Sequence, residues 1–351
     1  MLDKYEELNL SAKDYLIDEL DKIYYEKYNE EAILKRCHNE INLFDEKGYL
    51  FIIEILHKFK KENKNIYYHF RGMINNSLLL YVLGLSKVNP LEYNLPYELI
   101  TDRTINVDLI GIDVVSLVDF ISKNYYDKLR IVAGSYEKCE IEERNQLEEN
   151  HYLFIPTLYE EKKDITFRLN INNIFETVEN YGNFTNDYIS VRFGEKYYLF
   201  DYDKVDIENV LNIDFEKDIA SILKPKTISD YIKVKSVGHG TSVWRNNQEY
   251  LVKEEKININ NLIATREDIL EYLLDHSIDK EMALEILNYI YRNKWNNYPN
   301  LWDKYVKIMK EHNCEDIFID IFSKIEFIFG RGQAVSECLF VLDKENYIEC
   351  N

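Results

Sequence analysis

The spacing of the apolar residues changes twice along the chain, and that change constrains the fold more than any other feature. From Ser11 onward, Tyr15, Leu16, Leu20, Ile23 and Tyr24 share one helical face. Ser11 with Asp14 three residues on resembles a capping box, which predicts a helix starting there. Gly48 punctuates, and YLFIIEILHKF is apolar enough for a buried helix. The polar break KKENKN leads to IYYHF, a strand-like run, and SLLLYVLGL predicts a second buried helix ending near Gly84. Asn89-Pro90 and Leu95-Pro96 mark turns. Between about Thr101 and Ala220, TINVDLIGI, DITFRLNI, DYISVRF and KYYLFDY are β-branched and aromatic runs of strand length. They alternate with acidic segments such as CEIEERNQLEEN, read as helical. From about Pro225 the helical spacing returns. Thr265 is placed to cap REDILEYLLDH and Asp279 to cap KEMALEILNYIYRN. The expected class is α+β, with a mixed α/β body over residues 1–224 and an all-helical subdomain over 225–351.

Composition narrows the function. A chain of 351 residues is long for a single core and predicts two domains. Only 11 residues are glycine, so phosphate-cradling loops are few. The formal net charge of -20 repels nucleic-acid phosphate unless a local basic groove offsets it. Cys37, Cys139, Cys314, Cys338 and Cys350 are widely spaced without a CxxC pair, which argues against a cysteine zinc site and for reduced thiols. The charged start MLDKYEELNLSAKDYL is not a signal peptide, and no apolar run reaches the ~18 residues of a membrane span. A cytoplasmic protein is expected. Most of the 29 tyrosines are expected to pack in the core with their hydroxyls at its edge.

The densest motif is SVGHGTSVWRNNQEYL, from Ser236 to Leu251. HGT alone would be a turn with a capping threonine. With Val243, Trp244, Asn247 and Gln248 in place, the segment resembles the fingers motif of the PolC-type alpha subunit of bacterial DNA polymerase III, close to SGLSHGTDVW..NAQ.L. His239, Gly240, Thr241 and Trp244 carry the match. Arg266, Asp268, Ile269, Tyr272, Leu273 and Lys294 fall in register with the family's next helical stretch. Upstream, Arg71, Gly72, Ser77, Val88, Asn89, Pro90 and Leu91 are similar to a palm segment reading SRGSVGSS, an apolar helix and EVNPL. The resemblance covers roughly two-thirds of the chain, densest over Ser236–Lys294 and thinnest over Leu109–Ala220. It implies a palm remnant, with the thumb largely absent, followed by fingers. The family's exonuclease, histidinol-phosphatase-like, clamp-binding and downstream DNA-binding modules do not fit in this length.

The resemblance also implies where chemistry would sit. Family nucleotidyl transfer uses two metal ions about 3.5–4 Å apart, clamped by acidic side chains. A palm strand supplies an Asp-x-Asp pair, because alternate strand residues share a face. The matching run is Asn106-Val107-Asp108, which keeps Asp108 and replaces the first carboxylate by the neutral amide of Asn106. Asp201 is the candidate for the third carboxylate. The phosphate turn reads Arg71-Gly72-Met73-Ile74-Asn75-Asn76-Ser77, with Met and Asn where the family has small residues. Asparagine tolerates left-handed backbone, so the turn itself is expected to survive. Near the end, Arg331 keeps the charge of the family's FPKAHAAAY, while Gln333 replaces its histidine.

Three readings follow. The first is a catalytically inactive PolC-like protein that binds, as a mimic or decoy of the replicative polymerase, with DNA or a PolC-binding replisome protein as partner and no cofactor. The second is a minimal Mg²⁺-dependent nucleotidyltransferase, with Asp108 and Asp201, helped by Asp113 or Asp203, holding metal. The third is a nucleic-acid- or nucleotide-binding protein without polymerase activity, with Arg71, Gly72, Ser77, Lys294 and Arg331 at phosphate and Trp295 stacking on bases.

Overall fold

The computed structural model describes residues 4–27, 30–64, 66–101, 105–110, 114–125, 129–134, 141–143, 151–156, 167–170, 214–291 and 299–342. The chain divides into two compact units. One comprises Met1–Val205 with Leu339–Asn351, and the other Asp206–Cys338. Helices dominate the described residues and a mixed sheet accompanies them, so the class is α+β.

In the first unit, α1 (Lys4–Lys27), α2 (Glu31–Lys47) and α3 (Leu50–Glu62) form the helical layer. The expected start at Ser11 is not observed, because α1 already runs from Lys4 and carries Ser11 in its interior. Leu16 and Leu20 are fully buried and Tyr24 nearly so, as their spacing of four requires. The α2 helix ends where Gly48 adopts φ 70 and its N–H returns to the carbonyl of Asp45. The α3 helix is buried almost all round, at Leu50 through His57 and at Phe59, which is the pattern of a core helix rather than a surface one. Each such apolar side chain contributes about 1.5–3 kcal/mol.

The sheet has the order β1-β2-β6-β5-β3-β4, built from β1 (Tyr67–Arg71), β2 (Asn106–Ile110), β3 (Leu129–Gly134), β4 (Ile141–Glu143), β5 (His151–Pro156) and β6 (Phe167–Asn170). Among the described residues only the β2/β6 pair of this sheet is parallel. The segment Ile141–Glu143, expected as helix, is a strand paired antiparallel with β3. Pairing to a neighbouring strand overrides the local composition there. Between β1 and β2 lie a 3-10 turn (Met73–Asn76) and the short helix α4 (Leu78–Val82). The helix α5 (Val114–Tyr125) follows β2. DYISVRF and KYYLFDY lie outside the described residues.

The second unit is helical: α6 (Asp214–Leu223), α7 (Ile228–His239), α8 (Glu249–Lys253), α9 (Arg266–Asp275), α10 (Lys280–Tyr291), α11 (Pro299–Glu311), α12 (Asp316–Lys324) and the start of α13 (Arg331–Leu342). Thr265 and Asp268 form a reciprocal capping box at α9, and Asp279 accepts the amide of Met282 at α10. Cys37, Cys314 and Cys338 are buried free thiols. Among the described residues no helix is long and apolar enough to cross a membrane.

Candidate functional site

The turn after β1 is the first place to look for phosphate chemistry. Arg71 closes β1, and Gly72 takes φ 85 with ψ -163, a backbone that a side chain would strain. Gly72 is the left-handed residue of this turn. Asn75 and Asn76 sit in the 3-10 segment and have no positive φ, so left-handed tolerance is not what placed them. Both are fully buried and tie loops together. The Asn75 amide donates to the carbonyls of Phe70 at 2.7 Å and Gly72 at 3.2 Å, and that of Asn76 donates to Pro96 at 3.0 Å.

The amides at the start of α4 are already occupied. The Glu40 carboxylate, from α2, accepts the Ser77 hydroxyl at 2.8 Å and the N–H groups of Leu78 at 3.1 Å and Leu79 at 2.9 Å. Ser77 in turn accepts the N–H of Leu80 at 3.1 Å and caps the helix. Arg36, one turn before Glu40, donates its Nε to the same carboxylate at 2.9 Å. Its Nη2 donates to the carbonyls of Asn76 and Leu95, both at 2.8 Å. Burial is the largest influence and leaves the Glu40 carboxyl above its ordinary range, with Arg36 and the two amides pulling against it. With four donors around two oxygens, the geometry suits a carboxylate. Local sequence reading missed Glu40 and Arg36. Their signal was present in α2, where Glu40 falls on the stripe of Ile33, Cys37, Ile41 and Phe44. A charge on a buried stripe must have partners.

Strand register places the remaining candidates. Asn106 pairs with Arg71 and Asp108 with His69 across the β1/β2 ladder, so these four positions share one face. On the same face, Phe340 stacks on His69 at 5.0 Å and packs on Tyr67 at 5.7 Å. Phe70 and Val107 occupy the opposite, core-facing side. Asp113, Asp201, Asp203, Lys294 and Trp295 lie outside the described residues. Among the described residues no group of three or more His, Cys, Asp or Glu is arranged to hold a metal ion.

In the second unit the HGT segment lies at the edge of the core, with His239 and Gly240 half-buried and Thr241 exposed. The His239 ring stacks on Phe329 at 4.9 Å and 17°. Its Nε2 lies 3.2 Å from Glu216 and 3.7 Å from Glu337, and Lys235, 1% exposed, lies 3.5 and 3.6 Å from the same two carboxylates. Thr241 exchanges backbone hydrogen bonds with Phe327. A Cβ on Gly240 would stand 2.5 Å from Cγ2 of Val243, so close packing requires glycine there. Trp244, Asn247 and Gln248 are buried. The Gln248 amide donates to the carbonyls of Val243 and Ile263 and accepts the N–H of Ile263. Arg266 donates to the carbonyl of Ile328 and lies over the Tyr291 ring at 4.3 Å. The Arg331 guanidinium is held by Glu271 at 2.6 and 2.7 Å and by Asp268 at 2.8 Å. Its backbone N–H donates to Glu267. A phosphate approaching Arg331 would meet these carboxylates. Gln333 donates to Glu337.

Comparison with known proteins places this turn in a family context. Residues 12–114 match the family model described as the bacterial DNA polymerase III alpha NTPase domain. That interval contains Glu40, the Arg71–Ser77 turn and the Asn106–Asp108 strand, and it ends before the HGT segment. Similar proteins include PolC-type DNA polymerase III from Lactococcus lactis (29% identical over 120 residues, 34% of this chain and 7% of that one) and from Clostridium perfringens (31% over 113 residues, 32% and 8%). The enzyme of the same name from Staphylococcus aureus is 29% identical over 119 residues, 34% and 8%. The chain is a relative of the PolC-type polymerases over about a third of its length. It spans less than a tenth of the length of these relatives.

Proposed function

We propose that this PolC-related chain works by binding, without nucleotidyl transfer, as a mimic of the replicative polymerase toward a replisome partner. The observation that carries the reading is the internal carboxylate of Glu40 on the very hydroxyl and amides that a phosphate-binding turn would present. A triphosphate at α4 would have to displace an anion that is tied down by Arg36. The strand register supports the same view. A pair of divalent ions needs several anionic oxygens. The shared face offers the positions of one carboxylate, one amide, an imidazole and a guanidinium. These residues do not suit a magnesium pair. In this reading the first unit stands for a palm and the second for fingers, in a cytoplasmic protein.

The net charge of -20 favours a protein partner over unassisted DNA. Primer extension tests the first half of the proposal, using primed template, four nucleotides and Mg²⁺ or Mn²⁺, with the parent, Asn106→Asp and Asp108→Ala side by side. No extension by the parent is expected. Extension that Asp108→Ala abolishes would make the chain a minimal polymerase and end the proposal. Affinity capture with replisome proteins that bind PolC, against capture on primed DNA, tests the second half. Retention of DNA alone would replace the mimic by a nucleic-acid-binding protein.

A further inference from the structure

We propose that a hollow among α1, α3 and α5 is a binding site for a small organic ammonium ion carried on an apolar body. The proposal stands independently of the polymerase reading. The hollow measures about 450 Å³, within the range of small-molecule sites. Tyr15 from α1, Phe120 and Tyr125 from α5, and Glu54, Lys58 and Glu62 from α3 line it. Three aromatic rings beside two carboxylates make a wall suited to a cation with a greasy body. The molecule itself shows that an ammonium fits there. The Nζ of Lys58 pairs with Glu54 and lies 4.5 Å from the centroid of the Tyr15 ring.

A second observation points to a ligand. Tyr125 is 4% exposed, and its hydroxyl has no hydrogen-bond partner among the described residues. Burying a hydroxyl unpaired is costly, and a ligand N–H reaching its lone pair would remove that cost. Burial, then the charges of Glu54 and Tyr15, push the Tyr125 phenol up, so it stays a neutral hydroxyl able to accept.

The lining carries two carboxylates, Glu54 and Glu62, and two ammonium groups, Lys58 and Lys61, so it is balanced in charge. Lys61 is drawn to Glu19 at 2.8 Å, a carboxylate outside the lining that Lys22 also holds at 3.0 Å. The sign of the ligand is set by the aromatic wall, whose ring faces attract a cation and not an anion. A hard divalent ion would need a shell of oxygens that aromatic walls do not supply.

Phenethylamine is the probe, with phenylethanol as the neutral control and phenylpropionate as the anionic one. Each is titrated calorimetrically into the full chain. Saturable one-site binding is expected for the amine, about tenfold or more weaker binding for the alcohol, and none for the acid. Tyr125→Phe and Glu54→Gln are each expected to weaken the amine about tenfold. Lys58→Gln frees the Glu54 carboxylate and the Tyr15 face and is expected to strengthen it, a gain that misfolding cannot produce. The proposal is overturned by the absence of saturable amine binding at millimolar concentration. It is equally overturned by an alcohol that binds as tightly as the amine, or by an affinity that neither Tyr125→Phe nor Glu54→Gln moves.

Discussion

Replacing Glu40 by alanine removes the acceptor at the centre of the first unit's polar network. The side chain is fully buried, and its two oxygens accept four donors at 2.8 to 3.1 Å. In the alanine variant the Ser77 hydroxyl, the N–H groups of Leu78 and Leu79, and the Arg36 guanidinium stay buried without that acceptor. Breaking a buried charge pair from one side costs about 3–5 kcal/mol, and each stranded buried amide about 1–3 kcal/mol. These terms share one cavity and do not add, so the expected loss is about 3–5 kcal/mol. Glu40→Gln keeps the volume but turns an NH₂ toward donors, and about 2–3 kcal/mol is expected. Trp244 and Trp302 both lie in the second unit, so tryptophan fluorescence would report mainly on the wrong unit. Urea unfolding followed by circular dichroism gives the global figure, and hydrogen exchange read by mass spectrometry gives the local one at Leu78–Leu80. Lys253→Ala, which breaks a pair exposed at 55% and 29%, serves as a control and is expected to cost under about 1 kcal/mol. An alanine variant within about 1 kcal/mol of the parent, with unchanged exchange at α4, would refute the reasoning.

Three further outcomes are expected. Burial holds His57 down at about 4, and its Nδ1 shares a 3.0 Å hydrogen bond with the Tyr15 hydroxyl. Its folded value lies below the ordinary 6.5, so the unfolded chain binds more protons between them, and stability falls as pH drops from about 6.5 toward 4, by at most about 3 kcal/mol. Urea midpoints at pH 7 and 5 should differ less in His57→Gln than in the parent, and equal slopes would contradict this. Gly240→Ala sets a methyl 2.5 Å from Cγ2 and 2.9 Å from Cβ of the buried Val243 and is expected to cost about 1–3 kcal/mol. A thermal unfolding midpoint equal to the parent's would contradict that close packing. Gln248→Ala abolishes three buried hydrogen bonds and should destabilise the second unit by about 2–4 kcal/mol in denaturant unfolding, against the small change expected at exposed Lys253.

Much of the local structure was legible from spacing and caps. Leu16, Leu20 and Tyr24 predicted their buried face, and Thr265 and Gly48 predicted an α9 start and an α2 end that the backbone shows. These features depend on residues within one or two turns of each other, where the chain itself sets the geometry. Ser11 misled because a serine and an aspartate three apart satisfy the capping pattern equally well inside a helix that began earlier. Ile141–Glu143 misled because a strand partner nearly ten residues away outweighed an acidic composition.

By itself the sequence determined the α+β class and the kinship with PolC-type polymerases, which the family match places over residues 12–114, and it set a neutral amide at Asn106 two positions before Asp108. Each is written in the order and chemistry of neighbouring residues. Only the tertiary structure decided what the turn's donors do. Glu40 and Ser77 stand 37 positions apart. The packing of α2 against α4 brings that carboxylate to those amides, and no local pattern encodes a contact between residues so distant in the chain. The same holds for Arg331, whose charge is legible at once but whose neutralisation by Asp268 and Glu271 needed 60 and more residues of intervening helix to fold back upon it.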